Sequence, residues 1–595
     1  MTDSMEAGFR PDNVIYSEHP NPAWARKGWI SLDGDWRIRH RGKEGHIRVP
    51  FPVGSPASGV DFDDRGLFAY SRSFEWPGPK RNRRWFLHIG ASDYDTKVLL
   101  NGQSVGDHRG GYASFAFDIS NALRTGRNEL EVLVRDSRNS TQARGKQTFR
   151  KDPFYVWYAG IAGIWQHVWI EETGREYLLR ATVRGDFAAR RVEVTASAGG
   201  DDEDRESVEF SKAADRLGVD VWDDRAGTWQ YEASRDGKNQ FSLSFPFEDI
   251  GPRLWYPDSP SLYGIRYTLY SGDSVCDSVE SYFGLRSIST EGGGLRINGV
   301  SVFLRMVLLQ GYYPGGVYTP LTYRRVEEDI ESIKRMGFNG ARIHEKIESP
   351  YFHYLCDRLG LLTTFEMPSF YRSSRRAFRA YESELLEIIE RDAMHPSCVM
   401  WILFNETWGI WGVYRRSSKT RKFVISMLKL VRERDPGRPV IENSGWEHFD
   451  TDIVDFHHYL ATSSLARDLY ARLGSRDRST LFGFSIKRVI DFYMRDEVSR
   501  KTRSFFLGEA EAASAEGKPW FLSEYGGFGW YDTSEEGSIM ERLRTYTRDI
   551  VESRLFCGYC LTQIYDVGKE VNGLLTHDRQ PKVDIEEMRN INSIA

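Results

Sequence analysis

Two glutamates follow apolar runs at positions where a parallel strand would end. Asn405 and Glu406 come directly after 399–404, and Glu524 comes directly after 520–523. Such strand ends meet at the carboxyl face of a (β/α)8 barrel, so we expect both carboxylates at one mouth. A carboxyl pair held there can cleave a glycosidic bond, because one group protonates the leaving oxygen while the other attacks the anomeric carbon. Asn405 could donate to the sugar 2-hydroxyl.

The two carboxyl groups must differ in protonation state for this chemistry. The acid must carry a proton near neutral pH, whereas the nucleophile must be ionised. We expect burial and the neighbouring negative charge to raise the pKa of Glu406, and cationic neighbours to hold Glu524 ionised. With no water between them, the two groups should lie about 5–5.5 Å apart.

Further polar residues lie at or near other predicted strand ends. Arg342 and His344 end the second strand, where Arg342 could hold the nucleophile ionised or serve only in structural ion pairing. His457 and Tyr459 lie at the end of the sixth strand and are expected in the pocket, with plain packing as the alternative. The other candidates for sugar recognition are Gln310, Glu345, Lys346, Glu366, Trp446, Gln563 and Asp566.

Aromatic residues make up 14% of the chain, and 17 of them are Trp. Flat apolar faces with polar rims suit sugar rings. Trp408, Trp411 and Trp530 could therefore stack on a sugar, although Trp in a barrel can equally belong to the core.

The elements that must position these residues fall into three regions. Residues 1–175 hold short alternating runs separated by turn residues, with a hairpin signal at Asn101-Gly102, and predict a β-sandwich. Residues 176–286 hold a second set of short strands, which suits an immunoglobulin-like sandwich. From 287 to 595, apolar runs alternate with amphipathic helical patterns, which predicts a (β/α)8 TIM barrel.

Eight strands are predicted in the third region. They span 302–308, 339–343, 361–366, 399–404, 439–443, 453–457, 520–524 and 557–564. Residues 460–518 are too long for a plain crossover, so we expect one or two extra helices there. These would form a lid, a subunit contact or a solvated decoration.

Composition and charge argue against several classes of function. The 80 Lys and Arg against 85 Asp and Glu give a net charge of −5 spread along the chain, unlike a nucleic-acid or anionic-membrane binder. No signal peptide and no run of roughly 18 apolar residues is present, so we expect a soluble, cytoplasmic protein. The five cysteines are irregularly spaced, and one C-x-x-C pair (Cys557, Cys560) is weak support for zinc. We expect no cofactor and no metal.

Motifs along nearly the whole chain are shared with one enzyme family. The segment 395–409 resembles the acid/base signature of glycoside hydrolase family 2, the β-galactosidase/β-glucuronidase family, and 521–527 resembles its nucleophile segment. Further matches are 28–36, 160–169, 284–286, 337–344 and 357–361. The resemblance implies a jelly-roll sugar-binding-like domain, an immunoglobulin-like domain and a catalytic barrel. It also implies that Glu406 is the general acid/base and Glu524 the nucleophile.

The implied function is a retaining exo-β-glycosidase, most like a β-galactosidase, whose partner is an oligosaccharide or glycoside. Two segments, 308–312 and 342–346, depart from the loops of well-known β-galactosidases. The Asn-x-Lys arrangement with which β-glucuronidases hold the uronate carboxylate is not found. The alternatives are therefore a β-glucuronidase or other β-glycosidase, a transglycosylase with the same dyad, or a non-catalytic carbohydrate-binding protein. Homo-oligomer formation is left open.

Overall fold

Two β-sandwiches precede a parallel barrel, as the sequence predicts. The computed structural model describes residues 18–62, 65–78, 82–200, 214–223, 225, 227–236, 239–413, 417–446, 448–459, 462–474, 517–529 and 537–595. The domain boundaries drawn at 175/176 and 286/287 stay predictions.

The first sandwich packs two antiparallel sheets around an apolar core that includes Trp36, Tyr70 and Val132. One sheet contains, in hydrogen-bonded order, Trp29–Ser31, Val168–Gly174, Arg83–Ile89 and Phe115–Asp118. The other contains Lys43–Val49, Gly34–His40, Gly66–Trp76, Gly126–Asp136, Asp95–Leu100 and Gln103–Arg109. A two-residue pair, Gly163–Ile164 with Ser92–Asp93, lies beside them. The predicted hairpin is confirmed, since Asn101 and Gly102 both have positive φ, 54° and 81°.

The second sandwich has the two-sheet form of an immunoglobulin-like domain. Its three-stranded sheet contains Tyr177–Asp186, Arg191–Gly199 and Gln240–Pro246. Its four-stranded sheet contains Gly227–Ser234, Arg216–Asp223, Tyr263–Ser271 and Ser274–Phe283. Alternate residues of these strands, such as Val192, Val194, Val219 and Val221, are buried in the core between the sheets. A small sheet of Ile288–Ser289, Arg296–Ile297 and Val300–Ser301 leads into the barrel.

The barrel strands are parallel and close to the predicted bounds. In chain order they are Leu304–Leu309, Gly340–Ile343, Leu362–Glu366, Cys398–Ile402, Val440–Ile441, Val454–His457, Trp520–Gly526 and Gly558–Thr562. The first strand pairs with the second and the eighth, and the ladder is open only between the fifth and sixth strands. Because the strands run in parallel, their carboxyl ends share one face, and this face holds the predicted site residues.

The barrel helices begin at short polar side chains. Thr322, Ser349, Ser374, Ser418 and Ser538 each accept a bond from a backbone N–H of the first turn. The helices are Tyr323–Arg335, Pro350–Leu359, Arg375–Asp392, Lys419–Arg434, Ser463–Gly474, Ile539–Glu552 and Ile585–Asn592. Short 3₁₀ turns lie at Pro56–Ser58, Phe247–Ile250 and Glu291–Gly293. Within the described parts of the chain, no helix has the length and apolar character needed to cross a membrane.

The predicted insertion at 460–518 begins with the helix Ser463–Gly474. Residues 475–516 of that insertion, and Trp530, lie outside the described residues.

Two connecting segments of the first sandwich, 110–114 and 137–167, pack onto the barrel. Tyr112, Tyr158 and Trp165 belong to the same buried cluster as barrel residues such as Leu309 and Tyr318. Tyr112 and Tyr318 place their hydroxyl oxygens 3.1 Å apart. The sandwich therefore contributes side chains to the edge of the barrel mouth.

Candidate active site

Glu406 and Glu524 face each other at the barrel mouth. Three atoms lie within 4.8 Å of one another: a carboxylate oxygen of Glu406, a carboxylate oxygen of Glu524 and a ring nitrogen of His457. Glu406 follows the fourth strand in the left-handed backbone region, with φ of 49°, which a non-glycine residue rarely adopts. Its N–H donates to the carbonyl of Ser444 at 2.9 Å, which fixes this turn. Glu524 lies within the seventh strand, where the pairing register shifts on both sides. Such irregularities re-aim side chains.

Arg342 connects the nucleophile candidate to the neighbouring strands. This fully buried guanidinium donates to both oxygens of Glu366, at 2.7 and 3.0 Å. It also donates to Oε1 of Glu524 at 3.1 Å and to Oδ1 of Asn405 at 3.0 Å. Burial alone would raise the pKa of Glu366, but Arg342 and His344 lower it to about 2. The sequence allowed Arg342 two roles, holding the nucleophile ionised or structural ion pairing. It contacts both Glu524 and Glu366, and its role stays a prediction.

Tyr459 and His457 complete the surroundings of Glu524. The Tyr459 hydroxyl donates to Oε2 of Glu524, and Nε2 of His457 lies 3.5 Å from Oε1. Of the adjacent histidines, His457 faces the mouth, whereas Nε2 of His458 contacts the Tyr470 hydroxyl at 2.7 Å on the helix side.

Glu406 has donors on both carboxylate oxygens. Nδ1 of His457 lies 2.8 Å from Oε1, and Nε1 of Trp408 donates to Oε2 at 3.0 Å. Burial favours the protonated form, but these two donors outweigh it and lower the pKa of Glu406. The expected rise in the pKa of Glu406 is therefore wrong, because no local sequence pattern signals that two donors converge on this group.

The spacing of Glu406, His457 and Glu524 would also suit ligands of a shared cation. However, Nη1 of Arg342 already lies 3.1 Å from both Glu524 Oε1 and His457 Nε2. A metal ion in the same place would be repelled by the guanidinium. The donor set therefore fits an arginine-held carboxylate better than a metal centre.

Aromatic rings line the Glu406 side of the mouth. Trp408 makes an edge contact with Trp411 at 5.1 Å between centroids, and Trp446 lies 6.1 Å from Trp408. Trp157 of the sandwich contacts Trp408 at 5.3 Å. Trp411 is 50% exposed, so its ring is the one among these tryptophans that is most open to solvent.

The other predicted residues differ in their distance from the dyad network. Nδ1 of His344 lies 3.0 Å from Glu366. Gln310 and Gln563 are buried at the ends of the first and eighth strands, and neither Oε1 has a partner among the described residues.

Lys346 donates to Glu348 and to the carbonyls of Gly311 and Tyr318, at 2.7, 2.7 and 3.0 Å, so it is not in the network of the dyad. Asp566 accepts from Gly573 and Lys582 and is likewise outside it.

Sequence reasoning missed several neighbours of the site. Ser444, whose carbonyl holds the Glu406 turn, directly follows the predicted fifth strand, so the strand-end rule could have found it. Tyr158 donates to Glu570, and Asn572 donates to the same carboxylate at 3.1 Å. Lys146 acts on the charge of Glu406 from the sandwich. No local pattern signals a contribution from another domain.

Comparisons with known sequence families cover most of the chain. Residues 55–177 match the family described as "Glycosyl hydrolase 2 galactose-binding domain-like". Residues 176–286 match "Glycosyl hydrolases family 2", and residues 319–527 match "Glycosyl hydrolases family 2, TIM barrel domain". The three matches follow one another in the order of the two sandwiches and the barrel.

Individual relatives are distant. A putative β-glucuronidase of Formosa agariphila is 25% identical over 62% of this chain and 44% of its own length. The β-galactosidase BoGH2A of Bacteroides ovatus is 24% identical over 66% of this chain and 45% of its own. The chain thus spans less than half the length of these two relatives. The structure of a Bifidobacterium dentium β-glucuronidase complexed with coumarin-3-O-glucuronide has a TM-score of 0.73 at 19% identity. That match covers 96% of this chain and 98% of the other, and it supports the fold alone.

Proposed function

The chain belongs to glycoside hydrolase family 2, and on that premise we propose that it is a retaining exo-β-glycosidase. In this proposal, Glu524 attacks the anomeric carbon and Glu406 protonates the leaving oxygen. Glu406 then removes a proton from the water that hydrolyses the glycosyl-enzyme. The cytoplasmic location expected from the sequence stays a prediction.

The observation that carries the proposal is the spacing of the dyad. Oxygens of Glu406 and Glu524 lie within 4.8 Å of each other, which suits the carboxyl separation of about 5–5.5 Å in retaining enzymes. Inverting enzymes place the groups about 6.5–9.5 Å apart to admit a water between them. The spacing therefore favours direct attack by one carboxylate.

The environment of Glu524 supports its role as nucleophile. It accepts hydrogen bonds from Arg342 at 3.1 Å and from the Tyr459 hydroxyl, and these two donors would orient its carboxylate for attack. Asn405 accepts from Arg342 through Oδ1, so its amide nitrogen remains the group to offer to a sugar 2-hydroxyl. In this proposal the nucleophile and the groups around it come from the second and seventh strands and from the ends of the fourth and sixth.

We propose a neutral glycone, as in a β-galactoside, rather than a uronate. The two predicted cations already donate to protein acceptors. Lys346 donates to Glu348 and to two backbone carbonyls, and Arg342 donates to Glu366, Asn405 and Glu524. A β-glucuronidase is the alternative, because relatives of both kinds match this chain.

A hydrolysis screen tests the proposal. Wild-type protein is incubated with the aryl β-galactoside, β-glucuronide, β-glucoside, β-mannoside and β-arabinoside, beside Glu406→Gln and Glu524→Gln. An exposed glutamate on a sandwich strand, changed in Glu129→Gln, serves as the matched control. We expect the galactoside to be cleaved fastest, with the β-sugar as the first product by NMR. Each dyad variant should fall by about 10³-fold or more, whereas Glu129→Gln should match wild type. Release of the α-sugar first, or full activity in either dyad variant, would overturn the mechanism.

A further inference from the structure

Lys146 is a buried cation at the barrel mouth that comes from the first sandwich. The residue is 8% exposed, and its ammonium makes no hydrogen bond or ion pair with any described residue, although its carbonyl accepts from the N–H of Tyr158. Its ammonium nitrogen is not among the occluded polar atoms of the described residues that lack a partner, so it keeps some access to solvent. An ammonium with little access to water and no protein acceptor gains from a ligand that supplies one, so this arrangement favours a polar ligand at Lys146.

The backbone beside Lys146 is fixed to the barrel. The N–H groups of Arg144 and Gly145 donate to the carbonyl of Ser369 at 3.0 and 3.1 Å. Gly145, with φ of 53°, packs so tightly that a Cβ there would lie 2.0 Å from the carbonyl oxygen of Glu345. The Tyr371 hydroxyl donates to the carbonyl of Gly145. The position of Lys146 is therefore set by the loops after the second and third barrel strands.

The side chain of Lys146 extends among residues that contact the mouth. Its ammonium lies 5.9 Å from the ring centroids of both Trp157 and Tyr158. Trp157 packs on Trp408 beside Glu406, and Tyr158 donates to Glu570 after the eighth strand. Its positive charge also acts on two nearby carboxyl groups. It adds to the lowering of the Glu406 pKa by His457 and Trp408, whereas burial raises the pKa of Glu345 in spite of it.

We propose that Lys146 is a substrate-binding residue that donates to hydroxyl oxygens of a neutral sugar held at the mouth, so that the first sandwich completes the site. This inference rests on the proposed glycosidase function. A hydroxyl can accept from the ammonium and at the same time donate to a nearby carboxylate. A uronate carboxylate would instead meet the oxygens of the Glu406 and Glu345 carboxyl groups, and Oε2 of Glu345 has no partner among the described residues.

The test is sugar binding, which reports whether or not the sugar is turned over. Calorimetry measures the affinity of galactose, glucose, mannose, arabinose and glucuronate for wild type, Lys146→Met and Lys97→Met. Lys97 is an exposed lysine on a strand of the same sandwich and is the matched control. We expect wild type to bind a neutral sugar, Lys146→Met to bind it about 10- to 100-fold more weakly, and Lys97→Met to bind it as wild type does. Glucuronate should bind no better than the neutral sugar.

Monodeoxy analogues of the bound sugar then separate contact from structural support. One analogue should bind wild type weakly and show no further loss in Lys146→Met, because it lacks the hydroxyl that the ammonium contacts. The inference is overturned if wild type binds none of the sugars, if Lys146→Met binds within twofold of wild type, or if its loss is equal on every analogue. A lowered melting temperature with unchanged affinity would also overturn it. Sugar binding without cleavage of any aryl glycoside would contradict the glycosidase proposal. The role of Lys146 would then still be decided by the affinities of wild type and Lys146→Met.

Discussion

Nδ1 of His457 lies 2.8 Å from Oε1 of Glu406, and the opposite nitrogen of the same ring faces Arg342. A guanidinium has only donors, so Nη1 of Arg342 donates to Nε2 of His457 at 3.1 Å. The proton of a neutral ring is then on Nδ1, and His457 donates it to Glu406. Arg342 thus contacts Glu524 directly and Glu406 through the imidazole.

Removing this donor should change the pH dependence of the reaction. In His457→Phe, the ionised form of Glu406 loses one hydrogen bond, so its pKa should rise. The acid then keeps its proton to higher pH, and the basic limb of the kcat/KM profile should move upward by about one pH unit. His458→Phe, which removes a ring on the helix side, should leave the limb unmoved. A limb that stays fixed or moves downward in His457→Phe would contradict this account.

The ion pair of Arg342 with Glu366 should appear in the pH dependence of stability. The Glu366 pKa is lowered from 4.5 to about 2 in the folded protein, so its contribution is present above pH 4.5. That contribution should be lost as the pH falls from about 4.5 toward 2. We expect Glu366→Gln to lower the free energy of unfolding at pH 7 by about 3 kcal/mol. The difference from wild type should shrink in acid, as measured by denaturant unfolding. The exposed control Glu129→Gln should show no such difference, and a Glu366→Gln deficit independent of pH would contradict the assignment.

The strand-end residues could be predicted because they follow from a simple rule. Apolar runs followed by Glu406, Glu524, Arg342 and His457 mark the carboxyl face of the barrel, and the structure brings all four into one hydrogen-bonded network. Lys346 satisfies the same rule yet bonds only to protein acceptors, because the rule says nothing about the path of a side chain after its strand.

Two properties of the site could not be obtained from the sequence. The Glu406 pKa depends on Trp408 and His457, which approach opposite oxygens from different strand ends. Lys146 reaches the mouth only because its loop is fixed to the barrel through Ser369. Both depend on distances between segments that are far apart in the chain, and periodicity and composition do not encode these distances.

The aromatic group beside Glu406 should bind the leaving group. The acid must lie next to the leaving oxygen, so the aglycone extends toward Trp408 and the half-exposed Trp411. We expect Trp411→Ala to raise the KM of aryl glycosides and disaccharides about 2- to 10-fold by removing a stacking face. A glycosyl fluoride, whose leaving group has no ring, is the control and should keep its kcat/KM. An equal loss on the fluoride would place Trp411 outside the aglycone site.

The position of the sandwich loop that carries Lys146 depends on Gly145. In Gly145→Ala, the new Cβ would lie 2.0 Å from the Glu345 carbonyl oxygen, a contact that the backbone must relieve by moving. Gly102→Ala is the matched control, because Gly102 also has positive φ but nothing lies within 4 Å of its Cβ position. We expect Gly145→Ala to lower kcat/KM by at least 10-fold, since a shift of about 1 Å can cost 10²-fold. Gly102→Ala should lose only stability. Activity is measured on the aryl glycoside that wild type cleaves fastest. Equal kcat/KM in the two variants would show that the position of this loop does not affect the active site.

The roles of the two carboxylates can be assigned from the stereochemistry of azide products. Glu524→Ala removes the attacking carboxylate and leaves space on that face of the sugar. Azide should then attack an activated β-glycoside from the vacated side and give the α-azide. In Glu406→Ala the glycosyl-enzyme still forms on Glu524, and azide should replace the water of the second step to give the β-azide.

The products are identified by NMR, and Glu129→Gln with azide is the control, which should release only free sugar. Exchange of the two products between the variants would mean that Glu406 and Glu524 have the opposite roles. No rescue of either variant, in a protein whose wild type cleaves the glycoside, would contradict the dyad itself. The outcome is diagnostic because Glu406 and Glu524 approach the anomeric carbon from different sides, so each vacancy admits azide to one face only.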